Sequence, residues 1–362
     1  MKKMLITLPK MSMGGMERSV VNLLNLSNYS KEYKVTLLVG YIVDDSLFKK
    51  LPENVEVKVL YKGKWDKKGK IITGIKYLFT YFRLLFKSNK YDVAICYSHH
   101  HGVLANLTRV ASKNSIGFVH NDLNLSRTQK QVDKLKFEKF SRIVCVSEAA
   151  KRAFIEKFPE YEENSIFVIN NYIDGKRILD LAEKKCEIQI ENKKDKTIFI
   201  NIARHLEPHK RISRILEASK KLKDEKYNFE VILVGDGPDT SNYKQYVEKN
   251  NLQDVVIFLG NQTNPYNYLK LSDAFVFSSS FEGYGMVLDE ARVLNVPIIT
   301  TDVADAKIIT DEGYGIFCEN SAAGVYNGMK DFLENGYDIK EKFDYNKFNS
   351  VITDRLDKLA KF

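Results

Sequence analysis

Short, nearly continuous apolar runs alternate along the chain with longer stretches whose apolar positions recur every three or four residues. The runs Met4–Leu8, Val35–Val39, Val55–Leu60, Val93–Cys96, Ser115–Val119, Ile143–Val146 and Ile166–Ile169 have the length of strands. Amphipathic stretches at Glu17–Leu26, Ile71–Phe86 and Ala149–Phe158 fall between several of them. A polar, Lys-rich passage, Glu183–Lys196, interrupts the pattern, which then restarts. The second series runs Thr197–Ile202, Phe229–Val234, Val255–Leu259, Ala274–Phe277 and Pro297–Thr300, with helical patterns near Ile212–Leu222, Tyr243–Lys249 and Met286–Leu294. Strands that are apolar throughout belong to parallel sheets covered by helices on both faces. The chain is therefore expected to be α/β, with two doubly wound Rossmann-like domains in tandem at 1–172 and 190–342, joined near Asn171–Lys196. Open parallel sheets bind ligands at the carboxyl ends of their strands. Two of them face to face would place a ligand cleft between the domains.

The densest chemistry lies in Ser278–Leu294, SSSFEGYGMVLDEARVL. Glu282 and Glu290 are eight residues apart, Gly283-Tyr284-Gly285 follow the first, and a helix is expected from Met286. The run Ala274–Phe277 would deliver Glu282 at its carboxyl end. The glycines allow close backbone approach, and the helix start offers N–H groups to an anion. Carboxylates beside such a site suit sugar and ribose hydroxyls, which donate to them. The bland alternative makes both Glu solvated residues favoured by the helix dipole. In Asn201–Ile212 (NIARHLEPHKRI), Arg204 and Lys210 follow the first strand of the second domain, placed to neutralise a diphosphate, one bidentately and one as a point charge. An ordinary exposed basic loop would read the same.

Gly14 and Gly15, just beyond the first strand, open a helix and would let a phosphate or sugar approach; a plain strand-to-helix turn is the alternative. No G-x-G-x-x-G fingerprint is present. His120 follows Ser115–Val119, where an imidazole would meet the transferred sugar or the acceptor, or else serve only the structure. Gly235, in Val234–Pro238 (VGDGP), makes a sharp turn that borders a nucleotide pocket or is turn chemistry alone. Leu259-Gly260-Asn261 would offer main-chain groups to a nucleobase. The run His99–His101 reads as loop or helix start rather than a metal site, because neighbours on one backbone rarely converge on one ion. With no D-x-D pair, no metal and no cofactor are expected.

At 362 residues with 44% hydrophobic and 28% charged, composition is that of a soluble globular protein and adds two points. The four cysteines are widely spaced, which favours buried thiols and a reducing, cytoplasmic setting. The charge is lopsided: residues 1–180 hold 31 basic against 18 acidic residues, the remainder 25 against 29. The first half is thus expected to meet something anionic. Lys62–Lys90 concentrates the excess, with nine basic residues and one acid interleaved with Trp65, Tyr77, Phe79, Tyr81, Phe82 and Phe86. Ile71–Phe86 fits an interfacial membrane anchor, and it fits a lysine-fringed core helix equally. No nucleic-acid motif accompanies the charge.

Taken in order, GGMERSV, VCVSEAAKRAF at Val144–Phe154, VINNYIDG at Val168–Gly175, ARHLEPHKR, VGDGP and FEGYGMVLDEA resemble the retaining glycosyltransferases of family 4, with the GT-B fold. The resemblance implies an acceptor-binding first domain, a donor-binding second domain and a C-terminal helix, 343–362, returning to the first. It implies a nucleotide-sugar donor, UDP-linked, and a glycan or lipid-linked acceptor, at the inner face of the cell membrane. Carried over, Arg204 and Lys210 would hold the donor diphosphate, Glu282 the sugar hydroxyls and Glu290 the ribose. The main chain at Gly283, Tyr284, Gly285 and Met286 would touch sugar and phosphate. Gly14 and Gly15 would border the diphosphate, and His120 would lie near the sugar. Tyr284 stands where the family often has Phe, and Asn171 where PNGID is commoner. Two other readings stay open: a non-catalytic sugar-nucleotide-binding subunit, and a nucleotide-sugar epimerase on the same fold.

Overall fold

The computed structural model describes residues 1–12, 14–63, 66–86, 90–98, 102–120, 136–187 and 196–360. It forms two compact units, one of residues 1–172 with the C-terminal helix from Lys347 onward, the other of Ile173–Asn346. Met13, His99–His101 and parts of the Lys62–Lys90 and Glu183–Lys196 passages lie outside the described residues.

The first unit is a seven-stranded parallel sheet of β1 (Lys2–Met11), β2 (Tyr33–Ile42), β3 (Glu56–Tyr61), β4 (Val93–Cys96), β5 (Ser115–Val119), β6 (Arg142–Cys145) and β7 (Ile166–Val168). The strand order is β3-β2-β1-β4-β5-β6-β7. Its central strands are buried on both faces, β4 and β5 along their whole length. Such burial is why these strands read as unbroken apolar runs. Helices α1 (Gly15–Leu26), α2 (Lys67–Leu85), α3 (Gly102–Ala111) and α4 (Glu148–Lys157) cover it. Side chains start two of them: Asp66 accepts from Gly69 N at 2.7 Å and Ser147 from Ala150 N at 2.9 Å.

The second unit is a six-stranded parallel sheet of β8 (Thr197–Ile202), β9 (Phe229–Val234), β10 (Val256–Gly260), β11 (Ala274–Phe277), β12 (Ile298–Thr301) and β13 (Gly315–Cys318), ordered β10-β9-β8-β11-β12-β13. Around it lie α5 (Gly175–Ala182), α6 (Ile212–Asp224), α7 (Thr240–Lys249), α8 (Met286–Val293) and α9 (Ala322–Asn335). One apolar cluster sits on each face of the sheet, centred on Phe199 and on Phe275. The edge strand β13 and helices α3, α5 and α9 are absent from the sequence expectation, which read the stretch holding α5 as the junction. β13 is four residues long and opened by Gly315 in a positive-φ conformation, so its apolar run, Ile316–Cys318, is too short to stand out.

The last helix, α10 (Tyr345–Ala360), packs on the first unit through Ile352, Leu356 and Leu359, each 1% exposed. Tyr29 Oη donates to the Leu356 carbonyl at 3.2 Å, and the hydroxyls of Tyr172 and Thr353 share a hydrogen bond of 2.8 Å.

In each sheet the strand order reverses once, between β1 and β4 and between β8 and β11. The reversal parts the flanking connections to opposite faces and leaves a crevice at the carboxyl ends of those strands. All four cysteines are unbridged; Cys96, Cys145 and Cys318 are buried and Cys186 is partly exposed. Burial pushes the Cys145 and Cys318 thiols up to about 12.

Candidate active site

Beyond β8 the chain passes Arg204, which is exposed, and turns through Glu207–Lys210 into α6, with Arg211 in the left-handed region (φ 49°). Beyond β11 it enters Ser278 and Ser279, both buried, then the glycine-bearing loop. These strands are neighbours, and the two loops are stitched together. Ser278 Oγ donates to the Lys210 carbonyl (2.9 Å), Ser280 N to the His209 carbonyl (2.8 Å), and Ser280 Oγ to the Pro208 carbonyl (2.9 Å). Lys210 Nζ forms an ion pair with Glu282 Oε1, which also accepts from Ser279 Oγ at 3.1 Å. Lys210 Nζ lies 5.7 Å from the centre of the Phe277 ring.

Three residues that the sequence reading did not single out hold the loop from behind. Arg214 Nη1 donates to the Ser278 carbonyl at 3.2 Å and to Asn320 Oδ1 at 2.7 Å. Thr301 Oγ1 donates to the Ser279 carbonyl at 2.7 Å. Asn320 Nδ2 donates to the carbonyls of Ser280 and Asp302, at 3.0 and 3.1 Å. Each carbonyl from 278 to 280 therefore has a side-chain donor, which fixes the loop that presents Glu282.

The loop ends at Gly285, φ 78°, a conformation glycine adopts without steric cost, and α8 begins at Met286. On α8, Glu290 is buried and its Oε1 accepts from Tyr266 Oη at 3.1 Å. Tyr284 Oη donates to Asp289, a buried carboxylate that Arg292 also pairs with at 3.0 Å. Arg292 reaches Glu312 at 2.6 Å, and its guanidinium lies 3.9 Å from the Phe343 ring centre and 4.6 Å from that of Tyr314. Burial raises the Asp289 carboxyl above its usual range, with Arg292 opposing the shift. The Tyr284 phenol is raised well above its ordinary value, first by burial and then by the Asp289 charge.

Gly235 meets a requirement of the fold itself: φ is 131°, and a Cβ there would lie 1.9 Å from the Ala203 carbonyl oxygen. Its N–H donates to the Gly260 carbonyl at 2.8 Å, tying the ends of β9 and β10. Beside it, His205 is 1% exposed and its Nδ1 lies 2.8 Å from Thr240 Oγ1. Thr240 Oγ1 in turn donates to Asp236 Oδ1 at 2.5 Å, and with the Gly237 N–H holds that carboxyl below the usual range.

In the first unit, Gly14 is the extended N-cap of α1. The space a side chain would need there holds the Glu17 carboxylate, 2.4 Å from the built Cβ position, and Glu17 accepts from Ser12 Oγ at 2.6 Å. The carboxylate of Glu17 thus covers the helix start, where a phosphate was expected to approach beside Gly14 and Gly15. His120 ends β5 with its ring 4.4 Å from that of Tyr97, whose hydroxyl shares a 3.0 Å hydrogen bond with Ser19 Oγ of α1. Ser19, four residues beyond Gly15 on α1, and His120 are thereby linked through Tyr97. Within the second unit Lys210 and Glu282 are in contact, Arg204 shares Lys210's loop, and Glu290 follows on α8. Among the described residues no three His, Cys, Asp or Glu side chains gather as a metal site, and no helix is long and apolar enough to cross a membrane.

Residues 13–177 match the Glycosyltransferase Family 4 model and residues 183–350 the Glycosyl transferases group 1 model. The chain is 32% identical over 157 residues to the N-acetyl-alpha-D-glucosaminyl L-malate synthase of Bacillus anthracis, covering 42% of this chain and 40% of that one. It is 26% identical over 192 residues to a Campylobacter jejuni enzyme, the N-acetylgalactosamine-N,N'-diacetylbacillosaminyl-diphospho-undecaprenol 4-alpha-N-acetylgalactosaminyltransferase, covering 47% of this chain and 52% of that one. The chain thus spans about half the length of these curated relatives, or less. The fold superimposes on Anabaena Alr3699/HepE, solved with UDP and glucose, at a TM-score of 0.74 over 99% of this chain and 100% of that one, with 17% identity. With both halves matched in order and both parallel sheets in place, the chain belongs to the family 4 glycosyltransferases of GT-B fold.

Proposed function

We propose that the chain transfers a hexosyl or N-acetylhexosaminyl group from a UDP-linked donor to a hydroxyl of a glycan or lipid-linked acceptor, with retention at C1 and without a metal. One observation carries the reading: two loops at the β8/β11 reversal, stitched by hydrogen bonds from Ser278 and Ser280 to the carbonyls of Pro208, His209 and Lys210, hold Lys210 against Glu282. As the C1–O bond breaks, negative charge grows on the departing nucleoside diphosphate. Lys210 and the N-terminus of α8 offset that charge from fixed positions, at little cost of reorganisation during the step, and Arg204 adds a second cation from the same loop as Lys210. Glu282, aimed by Lys210 and Ser279, accepts from sugar hydroxyls, and Glu290 accepts from the ribose. The acceptor hydroxyl attacks from the face the diphosphate leaves, its proton passing to a phosphate oxygen, so configuration is preserved. From the first unit, Gly14 and Gly15 border the diphosphate and His120 lies near the transferred sugar.

The relatives' names support a sugar of this class, and one of them acts on an undecaprenol-linked acceptor. We accordingly place the reaction in bacterial surface polysaccharide or glycolipid synthesis, on the cytoplasmic face of the membrane. Calorimetry with UDP, GDP and ADP, followed by a donor screen with and without chelator, tests this. UDP should bind most tightly, and turnover should persist in EDTA with the anomeric configuration kept. Failure of every nucleoside diphosphate to bind would refute the donor site. Loss of turnover in chelator, or an inverted product, would refute the mechanism.

A further inference from the structure

Helix α2 is apolar on two opposite sides. Gly69, Thr73, Tyr77 and Leu84 face inward, and Tyr77 and Leu84 join the core cluster that contains Leu104 and Leu107 of α3. Ile71, Ile75, Leu78, Phe79, Phe82 and Leu85, with Phe86 at the C-cap, are 43–87% exposed. At 3.6 residues per turn these seven fall within an arc of roughly 120°, centred opposite the buried line and running about 22 Å along the axis. Scattered exposed apolar residues need no explanation, but a continuous stripe of this size does.

The charge around the stripe says what covers it. From Lys67 to Leu85 the helix holds Lys67, Lys68, Lys70, Lys76 and Arg83 and no acidic residue. Lys76 and Arg83 line one flank, Lys70 lies on the other, and Lys67 and Lys68 precede the stripe. A second copy of the chain would bring two such helices face to face, where like charges repel. A bilayer rich in anionic phospholipid accepts both features, because the apolar stripe sinks into the acyl boundary while the basic flanks meet phosphate.

We infer that α2 is a bilayer-docking helix: it lies in the plane of an anionic phospholipid surface with Phe79, Phe82, Phe86 and the Ile and Leu side chains of the stripe inserted. This rests on the membrane placement proposed above and supplies its partner and the residues that make it. The exposed stripe also decides between the anchor and the core-helix readings of Ile71–Phe86: Tyr77 is buried, whereas Phe79, Phe82 and Phe86 face solvent.

Sedimentation of the purified chain with liposomes tests the inference, using phosphatidylcholine alone and phosphatidylcholine with one third phosphatidylglycerol, at low and high salt. The chain should pellet with the anionic vesicles, and more weakly as salt rises. Phe79→Ser/Phe82→Ser/Phe86→Ser should weaken partitioning at least tenfold. Lys67→Gln/Lys68→Gln/Lys70→Gln/Lys76→Gln should weaken it by about fivefold per residue at low salt. All variants should keep the parent's thermal midpoint and UDP affinity, since none of these side chains is buried and the donor loops belong to the other unit. Failure of the parent to bind anionic vesicles overturns the inference, as does unchanged binding of the Phe variant. A stripe-dependent dimer that excludes vesicles assigns the face to a second copy and overturns it too. UDP binding, read separately, distinguishes this failure from failure of the transferase reading.

Discussion

Replacing Lys210 by Gln removes the charge that faces Glu282 and keeps most of the side chain's bulk. Two quantities should then separate. The Lys210 and Glu282 side chains are 26% and 18% exposed, so their pair sits at the protein's edge, where ion pairs contribute about 1 kcal/mol or less to stability. Glu282 keeps Ser279 and water, so no carboxylate is stranded in a dry interior. The thermal midpoint should fall by no more than about 4 °C. Transfer is another matter, because the charge on the leaving diphosphate is greatest in the transition state. Losing one positioned group of this kind costs roughly a hundredfold in rate, about 2.7 kcal/mol. Initial rates with the donor found by the screen, together with UDP calorimetry, measure both. The variant should lose at least a hundredfold in kcat and much less in UDP affinity, since in the proposed arrangement Arg204 still offers a counter-charge to the bound ground state. Glu282→Gln should also lose about a hundredfold, and the double variant should fall short of the product of the two because the residues touch. Transfer within threefold of the parent, in a variant that folds normally, would remove Lys210 from the reaction and with it the central electrostatic argument.

Tyr284→Phe deletes the hydroxyl that donates to buried Asp289 while Arg292 remains, so unfolding free energy should drop by about 1.5–3 kcal/mol in denaturant titration; no change would show the bond to be idle. Leu356→Ala empties a site 1% exposed beneath α10 and should cost about 2–5 kcal/mol. A loss under 0.5 kcal/mol would mean that α10 is not an integral part of the first unit. Burial lowers the His205 imidazole, so the folded protein disfavours its protonation. The contribution is complete above the unfolded value of about 6.5 and is lost as pH falls towards the depressed folded one. His205→Asn, which keeps a donor for Thr240, should therefore flatten the decline in stability between about pH 7 and pH 5; parallel stability curves for parent and variant would contradict this.

How much of this was readable beforehand depends on whether a residue's role is written in its own chemistry or in its neighbours. Val93–Cys96, Ser115–Val119, Thr197–Ile202, Phe229–Val234 and Ala274–Phe277 coincide with their strands because burial on both faces leaves no polar position to blur the run. Glycines and charges stand out for similar reasons: Gly285 advertises a backbone few residues adopt, and a Glu amid glycines is a marked choice. The contact between Lys210 and Glu282 was not legible, because it needs β8 and β11 to be neighbours and periodicity carries no strand order. Arg214, Thr301 and Asn320 were invisible for a sharper reason. They are ordinary polar residues whose work is to donate to three consecutive carbonyls, and a carbonyl leaves no trace in sequence. Tyr284 shows the converse error. Read as a mild exchange for Phe, it carries a hydroxyl whose partner, Asp289, is buried and shared with Arg292. The loop bearing Glu282 is thus fixed from both ends, by donors behind Ser278–Ser280 and by the Tyr284–Asp289–Arg292 chain beyond it. Preorganisation of that kind makes a fixed cation more effective than a mobile one, since a rigid array need not reorient as charge develops. It follows that Asn320→Ala, some distance from any reacting atom, should lower kcat while leaving the Lys210–Glu282 pair chemically intact.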